Sequence, residues 1–106
     1  MIYELRRYQT RPGRRDDWVR YMEDVVIPFQ AGQGVSVVAS FIDEEDPDGY
    51  VWIRRFDDET QRAQQYAAVY QSEHWTTEIA PRVEELLLKD RSVITHVAPT
   101  PGSGLQ

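Results

Sequence analysis

The apolar residues of this chain follow two different periods in turn, and the order of these periods constrains the fold more than any other feature. A period of two, typical of strands, covers residues 2–10, 35–43, 50–56 and 91–98. A spacing of three or four residues, typical of helices, begins near Arg14 and again after Asp57 or Asp58, either of which can cap the second helix. The predicted order is strand, helix, strand, strand, helix, strand. This is the split β-α-β unit in duplicate, an α+β ferredoxin-like βαββαβ sandwich with a four-stranded antiparallel sheet.

Each predicted helix carries an apolar stripe and an internal proline. The stripe of the first helix consists of Trp18, Met22, Val25 and Phe29. Pro28 is expected to kink this helix or to end its regular hydrogen bonding near Val26. The second helix is predicted in two pieces, because Ser72 can cap a further helical stretch and Pro81 marks a bend inside it. The residues predicted to face inward from the two pieces are Ala63, Tyr66, Ala67, Tyr70, Trp75, Ile79, Val83 and Leu86 or Leu87.

Composition and charge limit the class of protein. The 106 residues suffice for one domain; residues 1–98 are predicted to form it, followed by a flexible tail, residues 99–106, rich in proline, glycine and serine. A formal charge of −6 disfavours nucleic acid and anionic membranes as partners. The absence of cysteine excludes disulfides and thiolate chemistry, and no stretch has the pattern of a signal peptide or a membrane span. A cytoplasmic protein is therefore expected.

Right-handed crossovers place both helices on one side of the sheet and leave the other side bare. The aliphatic Leu5, Val51 and Ile53 are assigned to the helix side, because they suit a core. The bare side is then predicted to carry Ile2, Glu4, Arg6 and Tyr8 of the first strand and Trp52, Arg54 and Phe56 of the third. Such an aromatic surface is too apolar to face water, so a second copy of the chain is predicted to cover it. Two sheets packed across a two-fold axis would form a closed barrel around a cavity, a homodimer.

Three segments of the sequence resemble a known family. They are the opening MIYELRRY with Pro12-Gly13, the segment DEEDPD at residues 43–48 ahead of VWIRRF at residues 51–56, and YQSEHW at residues 70–75 running into EIAPRV at residues 78–83. Together they resemble the NIPSNAP family over about residues 1–98. The resemblance implies the dimeric α+β barrel superfamily, whose members place small-molecule or haem sites between helices and sheet or inside the barrel. Its relatives include cofactor-free monooxygenases, isomerases, polyketide cyclases and haem-dependent enzymes, so the resemblance implies no single reaction.

Polar side chains alternate along the first strand. Glu4, Arg6 and Tyr8 are two residues apart in succession, so all three are predicted to line one wall of the cavity. Arg6 could hold a carboxylate or an enolate, and Tyr8 could donate a hydrogen bond to a developing oxyanion. Glu4 is expected to have a pKa raised by burial, which would suit it to proton abstraction. Such a wall suits an anionic or enolisable ligand.

The third and fourth strands are predicted to complete the site. Arg54 would anchor the ligand together with Arg6, Trp52 and Phe56 would contact its apolar part, and His96 is an alternative to Glu4 for moving the proton. The predicted function is small-molecule binding, with cofactor-free isomerase, cyclase or monooxygenase chemistry on a carbonyl-bearing compound as its catalytic form.

Two other functions remain open at this point. If Glu4 merely pairs with Arg6 or Arg54, the protein is a non-catalytic homodimerisation module whose cavity is too small for a ligand. A haem protein would use His74 or His96 as the iron ligand. The sequence has no metal-ligand motif and no phosphate loop, so no metal site and no cofactor are expected, and the acidic residues 43–48 are predicted to form a solvated hairpin.

Overall fold

The computed structural model describes residues 1–106 and contains one four-stranded antiparallel sheet. The strands are β1 (Ile2–Gln9), β2 (Ser36–Ile42), β3 (Gly49–Phe56) and β4 (Val93–Val97). Their order across the sheet is β2-β3-β1-β4, which places β1 and β3 in the centre. This is the ferredoxin-like arrangement, and the predicted α+β fold is confirmed.

Two helical segments connect the strands, and each contains a wide π-helical turn just before a proline. The first segment consists of α1 (Arg15–Tyr21), a π turn (Met22–Val26) and α2 (Ile27–Gly32). The second consists of α3 (Glu59–Tyr70), a π turn (Trp75–Ile79) and α4 (Ala80–Leu86). Pro28 and Pro81 have no N–H to donate, and the wider turn upstream of each allows the helix to continue. None of these helices combines the length and the apolar character needed to cross a bilayer.

The predicted helix caps are confirmed. The Asp58 carboxylate accepts a hydrogen bond from the backbone N–H of Gln61 at 2.8 Å, and Ser72 Oγ accepts one from the backbone N–H of Trp75 at 3.1 Å. Each cap satisfies an N–H group that has no partner within its own helix.

The inner face of α3 differs from the prediction. Ala63 and Ala67 are exposed, whereas Val69 is buried and Tyr66 and Tyr70 are half-buried. Tyrosine and valine bury more apolar area than alanine does, so the helix is rotated to place the larger side chains inward.

The predicted assignment of the two sheet faces is wrong, and the structure reverses it. The helices cover the face that carries Ile2, Glu4, Arg6, Tyr8, Tyr50, Trp52, Arg54 and Phe56. The open face carries Tyr3, Leu5, Arg7, Val51, Ile53 and Arg55. Trp18 of α1 packs edge-on against Tyr8, with 5.9 Å between the ring centroids, so the aromatic face of the sheet is beneath the protein's own helices.

The reversal has a physical reason. A period of two divides a strand into two sets of side chains but does not say which set the helices cover, because a shift by one residue exchanges the faces. The charged residues of the covered face find partners on the helices, as described below for Glu4 and Arg54. On the open face, Arg7 pairs with the half-buried Asp43 of the β2–β3 loop at 2.7 Å and needs no partner from the helices.

The open face of the sheet keeps an apolar character. Leu5, Val51 and Ile53 lie in its centre, while Phe41 of β2 and Val93 of β4 are 53% and 55% exposed. The chain after Ala98 folds back over one end of this face, where the Tyr3 hydroxyl donates to the backbone carbonyl of Gln106 at 2.9 Å. The predicted flexibility of residues 99–106 stays a prediction.

Candidate functional site

The strand register aligns ionisable residues across the helix-covered face. Glu4 of β1 lies opposite Arg54 of β3 and also opposite His96 of β4. Two positions further along β1, Arg6 lies opposite Trp52 of β3. Because side chains two residues apart point to the same face, Glu4 and Arg6 are neighbours beneath the helices.

The Glu4 carboxylate is fully buried and is bonded through both of its oxygens. Oε1 accepts hydrogen bonds from Arg54 Nη2 at 2.5 Å and from Arg6 Nε at 2.6 Å. Oε2 accepts a hydrogen bond from the Tyr66 hydroxyl and lies 3.1 Å from His96 Nε2. A carboxylate has about four acceptor positions, so these partners leave little capacity for a ligand.

Arg54 joins the sheet to both helical segments. Its Nη1 donates to Gln30 Oε1 of α2 at 2.8 Å and to the Tyr70 hydroxyl of α3 at 2.9 Å. Its guanidinium carbon lies 4.7 Å from the centre of the Trp52 ring. The side chain is 1% exposed, so Arg54 fixes the relative position of the elements rather than meeting solvent.

The prediction of a raised pKa for Glu4 is wrong. Burial by itself would raise the pKa, but the charges of Arg54 and Arg6, together with their hydrogen bonds, bring it below its usual value. Glu4 is therefore ionised at neutral pH and is a weak base. Its role in this cluster is to position the two arginines.

The low pKa of Glu4 predicts a loss of stability in acid. A carboxylate whose pKa is lower in the folded than in the unfolded chain contributes fully above the unfolded value, about 4.3, and loses the contribution as the pH falls through the folded value. Arg6→Met removes one of the two guanidinium charges, so the pKa of Glu4 should rise and the acid transition should move to higher pH. Urea unfolding at a series of pH values measures this shift. The control is Arg7→Met on the open face, and an unchanged profile for Arg6→Met would contradict the explanation.

A cavity of about 370 Å³ lies between the sheet and the helical segments. The sheet contributes Arg6, Tyr8 and Trp52. The helical segments and the residue after them contribute Trp18, Met22, Val26, Tyr66, Tyr70, Trp75, Ala80, Val83 and Leu87. Lys89, Ser92 and Ile94 lie at the outer rim, where the side chains are exposed or half-buried. The volume is within the range of small-molecule sites, roughly 300–1,000 Å³.

Aromatic rings form much of the cavity wall, including all three tryptophans of the chain. Tyr70 and Trp75 meet edge to face with 4.8 Å between their centroids, and Tyr66 and Tyr70 meet in the same way at 5.4 Å. The two π turns place Met22, Val26 and Trp75 on the wall, and π turns are frequent at functional sites. These surfaces suit a planar, mostly apolar molecule.

Arg6 is the charged group that the sheet presents to the cavity. It uses three of its five N–H groups within the protein: Nε donates to Glu4, Nη1 to the Tyr8 hydroxyl at 3.2 Å and Nη2 to the Tyr66 hydroxyl at 2.9 Å. One N–H on each terminal nitrogen has no protein acceptor. Arg6 is thus held in place by three hydrogen bonds and keeps two N–H groups that a ligand could use.

Further donors with unused hydrogens belong to cavity residues. The hydroxyls of Tyr8 and Tyr70 each accept a hydrogen bond from an arginine and donate to no protein group. Burial raises the pKa of Tyr8, against the opposing charge of Arg6, so this hydroxyl keeps its proton. A buried donor is costly without a partner, which favours a ligand with acceptor oxygens.

Comparison with known proteins identifies the family. A model of the NIPSNAP family matches residues 3–101. The chain belongs to the NIPSNAP family. It is similar to a protein of known structure from Agrobacterium tumefaciens, with 24% identity over 100% of both chains and a TM-score of 0.89. A NIPSNAP family protein from the same organism shares 22% identity over 99% of this chain and 90% of its own, with a TM-score of 0.86.

The same fold extends beyond NIPSNAP proteins. The structure of an antibiotic biosynthesis monooxygenase has 18% identity over 95% of this chain and 100% of its own, with a TM-score of 0.68. Similarity at this level concerns the fold alone. No curated protein matches the chain.

The predicted site residues of this NIPSNAP protein fall into three groups. Arg6, Tyr8 and Trp52 line the cavity. Glu4 and Arg54 lie behind Arg6, in a buried ion-pair cluster that these three charged residues form, and they do not line the cavity.

The third group, Phe56 and His96, lies apart from the cavity. Phe56 packs with Val35 and Val69 in a separate apolar cluster. His96 is at an exposed edge, where its Nε2 lies 3.2 Å from Arg62 Nη1 and close to Glu4. His74, the other histidine, is also exposed, and no histidine lines the cavity. No three His, Cys, Asp or Glu side chains converge in a way that could hold a metal ion.

The sequence predicts several cavity residues only as packing residues. Trp18, Tyr66, Tyr70 and Trp75 are predicted as inward-facing helix residues. Gln30, which does not line the cavity but accepts a hydrogen bond from Arg54, has no predicted role. One signal was available: a tyrosine on the inner face of a helix carries a hydroxyl that usually needs a polar partner in the interior. Tyr66 and Tyr70 find that partner in Glu4, Arg6 and Arg54.

Proposed function

We propose that this NIPSNAP protein binds a small, planar, carbonyl-bearing molecule in the cavity between the sheet and the helices. The observation that carries the proposal is the cavity itself, with about 370 Å³ of space, aromatic walls and the unused hydrogen-bond donors of Arg6, Tyr8 and Tyr70. A carbonyl oxygen beside Arg6 would accept hydrogen bonds from Arg6 and Tyr8. The apolar body of the molecule would contact the tryptophan rings.

The same arrangement supports chemistry at a carbonyl group without a cofactor. Donors that are fixed in advance stabilise the negative charge that develops on oxygen when a carbonyl compound enolises. This suits an isomerase, a cyclase or a monooxygenase, with Arg6 and Tyr8 as the polarising groups. Glu4 is unsuited to accept the proton, because its carboxylate is fully engaged and its pKa is low, and His96 lies outside the cavity. The proposal is therefore ligand binding with polarisation of the carbonyl group.

Binding can be followed through the protein's own fluorescence, because every tryptophan lines the cavity. Naphthyl methyl ketone, a neutral planar ketone, is expected to quench this fluorescence in a saturable manner. Ala80→Phe places a ring at the cavity wall and is expected to abolish the saturable quenching, whereas Ala31→Phe at an exposed position of α2 should leave it unchanged. Equal quenching in both variants, or none in the parent protein, would count against a ligand in this cavity.

We also propose that the protein forms a homodimer through its open sheet face. Leu5, Val51, Ile53, Phe41 and Val93 together form an apolar surface on one side of the sheet. Contiguous apolar surface of this kind commonly marks an interface. A second copy would cover it by sheet-on-sheet packing across a two-fold axis. The ligand cavity is on the other side of the sheet, so each copy would have its own.

One observation favours the rival function, a non-catalytic homodimerisation module. Glu4 pairs with Arg6 and Arg54, as that function expects. The size of the cavity argues against it, because a module that only dimerises needs no space for a ligand. The haem alternative has no support from the cavity, since neither His74 nor His96 lines it.

A further inference from the structure

The charge of the cavity is opposite to that of the molecule. The chain has 18 acidic and 12 basic residues and a formal charge of −6. Yet the 15 residues that line the cavity include Arg6 and Lys89 and no aspartate or glutamate. An apolar core would need no charge at all, and a random cleft of an acidic protein would show carboxylates. A positively charged cavity in an acidic chain indicates a ligand with negative charge.

The ion-pair cluster behind the cavity has an excess positive charge. Glu4 supplies one negative charge, whereas Arg6 and Arg54 supply two positive charges. The side chain of Glu4 is fully buried, and those of Arg54 and Arg6 are 1% and 14% exposed. Burying a charge is costly unless it is paired. Because the two arginines share the one negative charge of Glu4, the cluster keeps one positive charge in excess, and Arg6 is the one member of the cluster that lines the cavity.

The hydrogen-bond donors of the cavity wall that have no protein acceptor also favour a negatively charged ligand. Arg6 keeps one free N–H on each terminal nitrogen, and the hydroxyls of Tyr8 and Tyr70 each keep a hydrogen to donate. The two terminal nitrogens of a guanidinium match the two oxygens of a carboxylate. The excess positive charge and the spare hydrogen-bond donors therefore both favour an anion with acceptor oxygens.

We propose that the cavity selects a monoanion, a planar and mostly apolar molecule whose carboxylate, enolate or phenolate oxygen binds Arg6 and supplies the negative charge that the cluster lacks. This inference rests on the proposed function, because it concerns the ligand of the same cavity. The inference specifies the charge of that ligand, which the volume and the aromatic walls of the cavity do not determine.

The test compares naphthoate with naphthyl methyl ketone, which differ in charge and hardly in shape. Isothermal titration calorimetry is expected to show naphthoate binding tighter by about 10- to 100-fold, the effect of one charge-assisted hydrogen-bonded contact. Arg6→Met should reduce this ratio to about one. Arg7→Met, the same substitution one residue along on the open face, should leave the ratio unchanged. Arg6→Met leaves the balanced Glu4–Arg54 pair in place, and Arg6→Lys, which keeps the charge, should retain a smaller preference for naphthoate.

The outcomes separate this inference from the proposed function. If both probes bind with equal affinity and Arg6→Met changes neither, the cavity binds ligands but does not select an anion, and only the inference fails. If naphthoate is preferred equally by the parent protein and by Arg6→Met, its site is elsewhere, and the inference fails again. If neither probe binds, the proposed function and the inference fail together.

Discussion

Glu4→Gln is expected to lower the free energy of unfolding by about 3–5 kcal/mol, the usual cost of removing one partner from a buried ion pair. The substitution preserves the shape of the side chain but removes the only negative charge of the cluster, so Arg6 and Arg54 remain buried without an anion. The new amide NH₂ group would also face donors where the carboxylate oxygens accepted hydrogen bonds. Equilibrium urea unfolding at neutral pH measures the loss.

A matched control lies on the surface. Glu59 pairs with Arg62 at 2.5 Å but is 65% exposed, so Glu59→Gln should cost less than about 1 kcal/mol. Adding Arg6→Met to Glu4→Gln removes one of the unpaired cations and is expected to recover part of the lost stability. A loss below about 1 kcal/mol for Glu4→Gln would show that the cluster is not the buried, charge-dependent unit described above.

Phe41→Lys is expected to convert the proposed homodimer into a monomer. Each dimer would lose two buried phenylalanine side chains, worth about 1.5–3 kcal/mol each, so the dissociation constant should rise by a factor of roughly 10² to 10⁴. Because Phe41 is 53% exposed in the single chain, the substitution should leave the fold of the monomer intact. Sedimentation equilibrium in the micromolar range measures the change in mass.

The neighbouring residue provides the control for this experiment. Ile42 is 52% exposed, almost the same as Phe41, but it lies opposite Tyr50, whose side chain is on the helix-covered face. Ile42→Lys therefore adds the same charge at the same exposure on the other side of the sheet and should leave the dimer intact. A parent protein that sediments as a single chain, or identical behaviour of the two variants, would refute the open face as the interface.

The fold of this protein could be predicted from its sequence because each element carries a local signal. Alternation along β1 and the stripe from Trp18 to Phe29 each follow from backbone geometry within one element. The caps at Asp58 and Ser72 are likewise local, since they depend on a side chain and a backbone N–H three residues away. An irregularity near Pro28 and Pro81 follows from the missing proline N–H, but its form, a π-helical turn, does not.

The site could be predicted only in part, because its parts meet through tertiary packing. The period of two correctly grouped Glu4, Arg6 and Tyr8, but it could not tell which face the helices cover. The sign of the pKa shift of Glu4 depends on Arg54, which approaches across the sheet and competes with burial. Phe56 shares a face with Trp52 yet lies beyond the cavity, because its position along β3 places it near Val69 instead.

The wide turns before the two prolines have a consequence for how this architecture can change. Both stand across from the sheet, and neither takes part in strand pairing. A π turn holds about one residue more than an α-helical turn, so a single-residue deletion there would tighten it to an ordinary helix without changing which way the following residues face. The cavity wall would change shape, whereas the pairing of the β-strands would stay the same. Related proteins could thus evolve to bind ligands of different shape without any change in the sheet that positions Arg6.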